Sequence, residues 1–463
     1  MPRAKDQWRN IMKGGGQAFP FIWGCLMSIN FLILWAIPIA GMGLTWKWVF
    51  RPVFGPVYSW MDSSRLLRSF AENFVYTNPK HADFFAISIL LVLNFTVGVG
   101  TLFYVQLTTG NLPYWLIAVY YCSWVGTGGR IMGAAYALAH KEVCRIITAV
   151  LFVNSCNTSL PDRPSSVPSS LLPSPSSPSQ GHNNGMYKRW IRDYVGNFFE
   201  NWFGQFYGNV PWNFSTSHVR IHHALDGGVG DTFYQWDLNR ASVTDFMLYV
   251  SRIFLHMIGY SSLCFFKGHN QKEASDKLTR GMTRYAVTGV LVLAVTRSVP
   301  FFFWVYLQPL FCMSYFLALL NFGFHGFIEF DADGKSIPCV NATTIIDGDD
   351  DYFGEDDHMA HHYNTSVYFR DLPELQKSKV DEFKKYKASV FKEISIVELS
   401  IYVLLGVWDR LADHYVDFSG TMSKEEIMHM LKTRAERVET SYAKYQAYLA
   451  NPTKEARNAY FGK

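Results

Sequence analysis

The sequence predicts an all-α fold: a polytopic membrane helix bundle with a helical cap, built around a histidine-rich site. Three observations predict it. The 463-residue chain is 49% apolar and 17% aromatic but only 17% charged, too greasy a balance for an ordinary soluble enzyme. Its apolar residues gather into runs that reach or exceed the roughly 20 residues needed to cross a bilayer. Six of its 14 histidines fall in two tight groups beside those runs. His218, His222 and His223 lie in SHVRIHHALDGGVGDT, and His358, His361 and His362 lie in EDDHMAHHYN. The net charge of +4 gives no argument for a nucleic-acid partner. The seven cysteines show no CxxC or regular spacing, so they read as reduced thiols and not as a zinc knuckle or disulfide framework.

Residues 1–18 form a basic N-terminal segment with Arg3, Lys5, Arg9 and Lys13. Residues 19–139 hold three expected spans: Phe19–Trp46, Phe84–Gln106 and Tyr114–Ala139. The first is too long for a signal-peptide core. Between the first two, Lys47–Asp83 reads as a loop of mixed charge. Its piece Val57–Phe74 is amphipathic and suits a membrane surface. The third span runs straight into His140.

Residues 140–372 form the expected metal-bearing domain. Within it, Val143–Gln180 turns into SLPDRPSSVPSSLLPSPSSPSQ, from which no core can form. Asp245–Phe266 is apolar but carries Arg252 and His256, so it reads as a span or an interfacial helix. Tyr285–Phe324 is either one span with an apolar flank or a hairpin turning near Pro300. Ile328–Asp357 is a strongly acidic loop leading to the second cluster. Residues 373–463 read as a charged helical cap, in which Ser423–Glu426 is a capping box opening a helix that runs to about Ala450.

The chemistry follows from the spacing. On an α-helix, residues four apart share a face. His218 and His222 then point at one metal, while His223 turns by about 100° and reaches a second. His358, His361 and His362 repeat the pattern at spacings of three and four. Neutral imidazole ligates first-row metals well. The bland alternative is a set of surface or capping histidines, or a zinc-buffering tract. His325, in NFGFHGF, is either a satisfied core histidine or a further ligand. His256 and His269 read as structural or interfacial, and His81, His414 and His429 as surface residues. The acidic runs at Asp226 and at Asp347–Asp357 either orient histidines or are solvated loops. Both clusters lie just outside apolar runs. A metal transporter would place ligands at mid-membrane, so a rim site suits oxidation of a lipid.

The HxxxHH and HxxHH boxes resemble those of the fatty acid hydroxylase superfamily, a membrane class similar to the desaturases, over roughly Ala118–Thr365. That family carries a further HxxxH box just after a span. Here His140 and His182 are separated, but removing Val143–Gln180 would join AHKE to GHNN and restore HxxxH. The expectation is that this insert is translated intron, with a disordered loop as the alternative. The resemblance implies two non-heme irons held by His140, His182, His218, His222, His223, His325, His358, His361 and His362. It implies O₂ as co-substrate and a site on the cytosolic face of the endoplasmic reticulum. The chain has no HPGG haem segment and no GxGxxG fingerprint, so electrons are expected from a separate cytochrome b5 or ferredoxin-type donor with its reductase. No acid–base dyad or nucleophile is called for beyond the metal ligands. WFGQFYGNVPWNF and ALDGGVGDTFYQWD look most like the algal branch with the alternative squalene epoxidases, which implies a lipid substrate of the sterol pathway. A fatty-acyl or sphingolipid hydroxylase or desaturase, a sterol methyl oxidase and a zinc-binding membrane protein remain the alternatives.

Overall fold

The computed structural model describes residues 18–33, 51–126, 135, 186–195, 198–225, 227–228, 230–332, 336–348, 353–364 and 367–439. His140, His182, Asp226 and the Val143–Gln180 insert lie outside the described residues. Within them the chain is mostly helical. One small departure from all-α is a parallel pair of short strands, β1 (Thr344–Ile346) and β2 (Val390–Lys392).

The helices that position the site are α1 (Ala18–Phe31), α2 (Pro79–Thr109), α3 (Phe214–His222, continued as His223–Leu225), α4 (Val243–Met257), α5 (Tyr260–Gly268), α6 (Lys272–Thr296), α7 (Val299–Phe324), α8 (His358–Tyr363), α9 (Ile396–Leu405) and α10 (Lys424–Glu436). Among the described residues, α2 and α7 are long and apolar enough to cross a membrane.

Helix α7 is the central element. Phe31 of α1 stacks on its Tyr315 with ring centroids 4.2 Å apart. The side-chain amides of Asn30 and Gln308 pair at 2.9 and 3.2 Å, a polar clasp between two apolar helices. Helices α1 and α4 touch through Gly24, where a Cβ would lie 1.9 Å from the Met247 carbonyl oxygen. Helix α9 crosses α7 at Gly323, where a Cβ would lie 2.0 Å from Ser400 Oγ. Overfilling such a crossing typically costs about 1–3 kcal/mol. One buried cluster joins Leu320 and Phe324 of α7, Met359 of α8, Val390, Leu399 of α9 and Leu431 of α10.

Several expectations need correction. Of the stretch Lys47–Asp83, read as a loop with an amphipathic piece, the described residues 51–83 are largely helical, over Arg51–Ser63, Arg65–Phe70 and Ala71–Val75. Asp245–Phe266 is not one span. Gly259, at φ 82, breaks it into α4 and α5, each well short of the roughly 20 residues a span needs. Arg252, awkward for a span, makes a two-pronged bond to Asp237 at 2.7 Å on each prong. Tyr285–Phe324 falls within a helical hairpin. Arg297 turns left-handed at φ 49, and the Ser298 hydroxyl caps α7 by accepting from the Phe301 N–H. The capping box of α10 is present, but the helix ends at Glu436, where Arg437 turns extended. His81 is buried, not a surface residue, because Pro79 folds the chain so that Tyr76 packs edge-on against its ring.

Candidate metal centre

The two histidine boxes are carried by helices of different winding. Helix α8 is α-helical and turns 100° per residue, so from His358 the next two histidines fall about 60° to one side and 40° to the other. Helix α3 is a π-helix over Phe214–His222. Its wider turn is closed at its end by the His223 N–H donating to the His218 carbonyl, five residues back. A π-helix turns only about 80° per residue. From His218, then, His222 falls about 40° to one side and His223 about 40° to the other. The extra residue in HxxxHH is absorbed by the winding, and both boxes present three imidazoles in one fan. What changes from the α-helical reading is the winding: His223 no longer lies about 100° from His222 on an α-helix, but flanks His218 on the side opposite His222. His218 lies 5.1 Å from His222 and 4.7 Å from His223, centroid to centroid.

The two fans meet. His222, His325, His358 and His362 offer ring nitrogens that all lie within 4.8 Å of one another, a group that could hold a metal ion. His358 Nε2 is 3.0 Å from His325 Nε2 and 3.1 Å from His362 Nε2. Beside this group, His361 Nε2 approaches His223 Nε2 to 3.3 Å. His223 also packs on His362, with centroids 5.1 Å apart. All seven of these histidines are buried. His325, ambiguous in the sequence, follows the last residue of α7 and belongs to the four-histidine group.

Hydrogen bonds on the far side of the rings fix which nitrogen faces inward. Asp231, itself fully buried, accepts from His222 Nδ1 at 2.8 Å and from the backbone N–H groups of Gly227 and Phe233 at 2.9 Å. His325 Nδ1 lies 2.8 Å from the carbonyl oxygen of Asn341, so it must donate there. Each ring then carries its proton outward and a bare Nε2 lone pair inward. His222 Nε2 has no hydrogen-bond partner among the described residues. An imidazole Nε2–H can satisfy one such lone pair but not several converging ones. A cation can satisfy them all, and outward bonds to carboxylate or carbonyl are the usual support of metal-bound histidine. Burial, and then the neighbouring imidazoles, push His325 and His358 well below the ordinary histidine range, which keeps them neutral and able to ligate. Imidazole-only donors suit zinc, copper, iron or nickel.

Other sequence candidates stand apart. Phe233 is set between His222 and His256, with centroids 4.5 and 4.3 Å away, and His256 Nδ1 is 3.0 Å from the Thr232 hydroxyl. His269 stacks on Phe265, and His414 Nδ1 meets the Lys392 carbonyl oxygen. His429 is exposed. Asp357 immediately precedes α8 and accepts from Gln376 Nε2. The carboxylate behind His222 is Asp231, five residues past Asp226 in the acidic run read as either a support for histidines or a solvated loop. Nothing in its spacing marks it, because it reaches His222 only after the turn through Gly227. No protein family, curated protein or solved structure matches this chain.

Proposed function

We propose that this chain is a membrane-bound non-heme di-iron oxygenase that oxidises a lipid with O₂, of the fatty acid hydroxylase type. One observation carries the reading: two histidine boxes far apart in sequence, with His325, close into a single buried knot at the end of the apolar helix α7. His222, His325, His358 and His362 would hold one iron. His223 and His361, with His218 beside them, would serve the other, together with His140 and His182. Bound iron supplies activation of O₂, which the side chains lack. The chain's own residues do the rest. Asp231 and the Asn341 carbonyl hold two imidazoles in the ligating tautomer. Phe233, and Phe324 stacked on His358 at 4.3 Å, wall the site with rings and exclude water.

The substrate is a lipid reached from the membrane, with a sterol-pathway hydrocarbon such as squalene favoured, and the electrons come from a separate cytochrome b5 or ferredoxin-type donor. The site faces the cytosol at the endoplasmic reticulum. Metal analysis of purified protein tests the centre: two irons per chain are expected, and stoichiometric zinc would instead favour a zinc-binding membrane protein. Expression in yeast lacking a sterol or desaturase enzyme, followed by lipid profiling, tests the substrate. A new hydroxylated or desaturated acyl chain with no sterol product would move the assignment to an acyl-lipid hydroxylase or desaturase.

A further inference from the structure

The segment ahead of α2 carries a surface that neither water nor hydrocarbon suits. Val57, Trp60, Leu66, Phe70 and Phe74 are all strongly exposed, Leu66 at 78%. Their spacing places them along the outer side of the consecutive helices Arg51–Ser63, Arg65–Phe70 and Ala71–Val75. A second strip joins them. Trp190 donates through its indole N–H to the Phe74 carbonyl at 2.8 Å, the backbone N–H of Lys188 donates to the Val75 carbonyl, and Tyr194, 87% exposed, follows on the same short helix. Arg65 lies among the aromatic rings in sequence, Lys188 Nζ donates to the Asn73 carbonyl oxygen, and Arg189 and Arg192 share Asp193 at 3.1 and 3.8 Å, leaving a net positive rim. A contiguous exposed apolar patch of this kind marks an interaction surface.

Ionic contacts fix its depth. At the start of α2, Asp83 receives Arg68 and Arg370 at 2.6 Å each, and Lys80 pairs with Asp371 at 2.8 Å. Such charges are expensive in hydrocarbon, while the adjoining rings are expensive in water. Helix α2 has 31 residues against the roughly 20 that cross a hydrocarbon core, so its charged first turns extend beyond the core. Both demands are met only at the headgroup–acyl boundary. There, aromatic rings lie against the acyl chains and basic residues meet lipid phosphates.

We infer that residues 57–74 and 188–194 form a single membrane-surface anchor that lies in the lipid leaflet at the entrance of α2. This rests on the membrane-bound reading above and adds where the bilayer surface lies. Through Asp83 the anchor is tied to Tyr368 and Arg370, a few residues past the histidines of α8. The metal centre is thereby held near the plane of the leaflet.

The test uses full-length protein in nanodiscs of phosphatidylcholine and phosphatidylserine, with a genetically encoded polarity-sensitive fluorophore in place of Leu66, Tyr194 or, as a control, Val97. Val97 is 63% exposed on the middle of α2. Leu66 and Tyr194 probes should be blue-shifted and quenched at least twofold by lipids bearing a nitroxide high on the acyl chain. The Val97 probe should be quenched best by a nitroxide deep in the chain. If Leu66 and Tyr194 probes are quenched by aqueous iodide and not by lipid, the anchor is wrong. Protection from both quenchers would also overturn it, because protein would then cover the patch. Failure of lipid quenching at Val97 would overturn the membrane-bound reading itself, a separate outcome.

Discussion

Helices α3 and α8 deliver the same fan of three imidazoles by different means. Helix α8 uses α-winding and spacings of three and four, whereas α3 uses π-winding and spacings of four and five. Their supports differ too. His222 of α3 is held by the buried carboxylate of Asp231 at 2.8 Å. His358 of α8 is held by ring stacking on Phe324, and its Nδ1 has no hydrogen-bond partner among the described residues. What the comparison teaches is that ligand geometry is set by residues per turn together with spacing, so two unlike motifs are physically equivalent.

The largest expected effect comes from removing a ligand from either helix. His222→Ala and His361→Ala should each abolish O₂-dependent lipid oxidation and lower bound metal, while the protein stays in the membrane fraction. Full activity in either variant would end the metal assignment. A sharper test changes spacing and keeps every histidine. An alanine inserted after Met359 gives α8 an HxxxHH box on α-winding, which swings its last histidine about 140° from the first; metal should be lost. Deleting Val219 gives α3 an HxxHH box that can wind as an ordinary α-helix, and metal should be retained. Equal loss in both variants would refute the equivalence of the two windings.

Smaller effects separate the supports. Asp231→Asn removes the charge that orients His222, and about 10–100-fold weaker metal binding is expected. Phe324→Leu keeps an apolar neighbour but loses the stack on His358, and should weaken binding by only a few-fold. If the two are reversed in a metal-competition titration, the carboxylate is not the stronger support. The smallest and most gradual effect is that of pH on the metal-free protein. His325 and His358 have folded pKa values depressed from 6.5. Above 6.5 they are neutral folded or unfolded, and their contribution to stability is fully present. As pH falls below 6.5, the unfolded chain binds protons that the folded site refuses, so stability drops until pH passes the folded values. Denaturant midpoints should therefore fall from pH 7 to pH 5, and His358→Gln should flatten that slope.

Much of the centre was legible in the sequence because metal chemistry restricts residue type. His222, His358 and His362 stand out by clustering alone. His325 stayed ambiguous because a lone histidine in NFGFHGF carries no spacing signal. Its role depends on α7 ending where its ring meets His358. The break at Gly259 carries no hydropathy signal, because Asp245–Phe266 is mainly apolar on both sides of it and hydropathy does not register a single left-handed residue. Arg252 was the available clue, since a charge in an apolar run needs a partner.

By itself, the sequence determined a helical, apolar chain with paired histidine boxes at the ends of apolar runs, because composition and local spacing are properties of the chain alone. Tertiary structure alone decided that α3 winds as a π-helix and that Asp231 is the carboxylate behind His222. It also decided that His325 completes the four-histidine group. The contacts close within about 3 Å, the reach of a hydrogen bond: His222 meets Asp231 nine residues on through an irregular turn, His325 meets His358 33 residues on, and His223 meets His361 across 138 residues, none of which helix periodicity encodes.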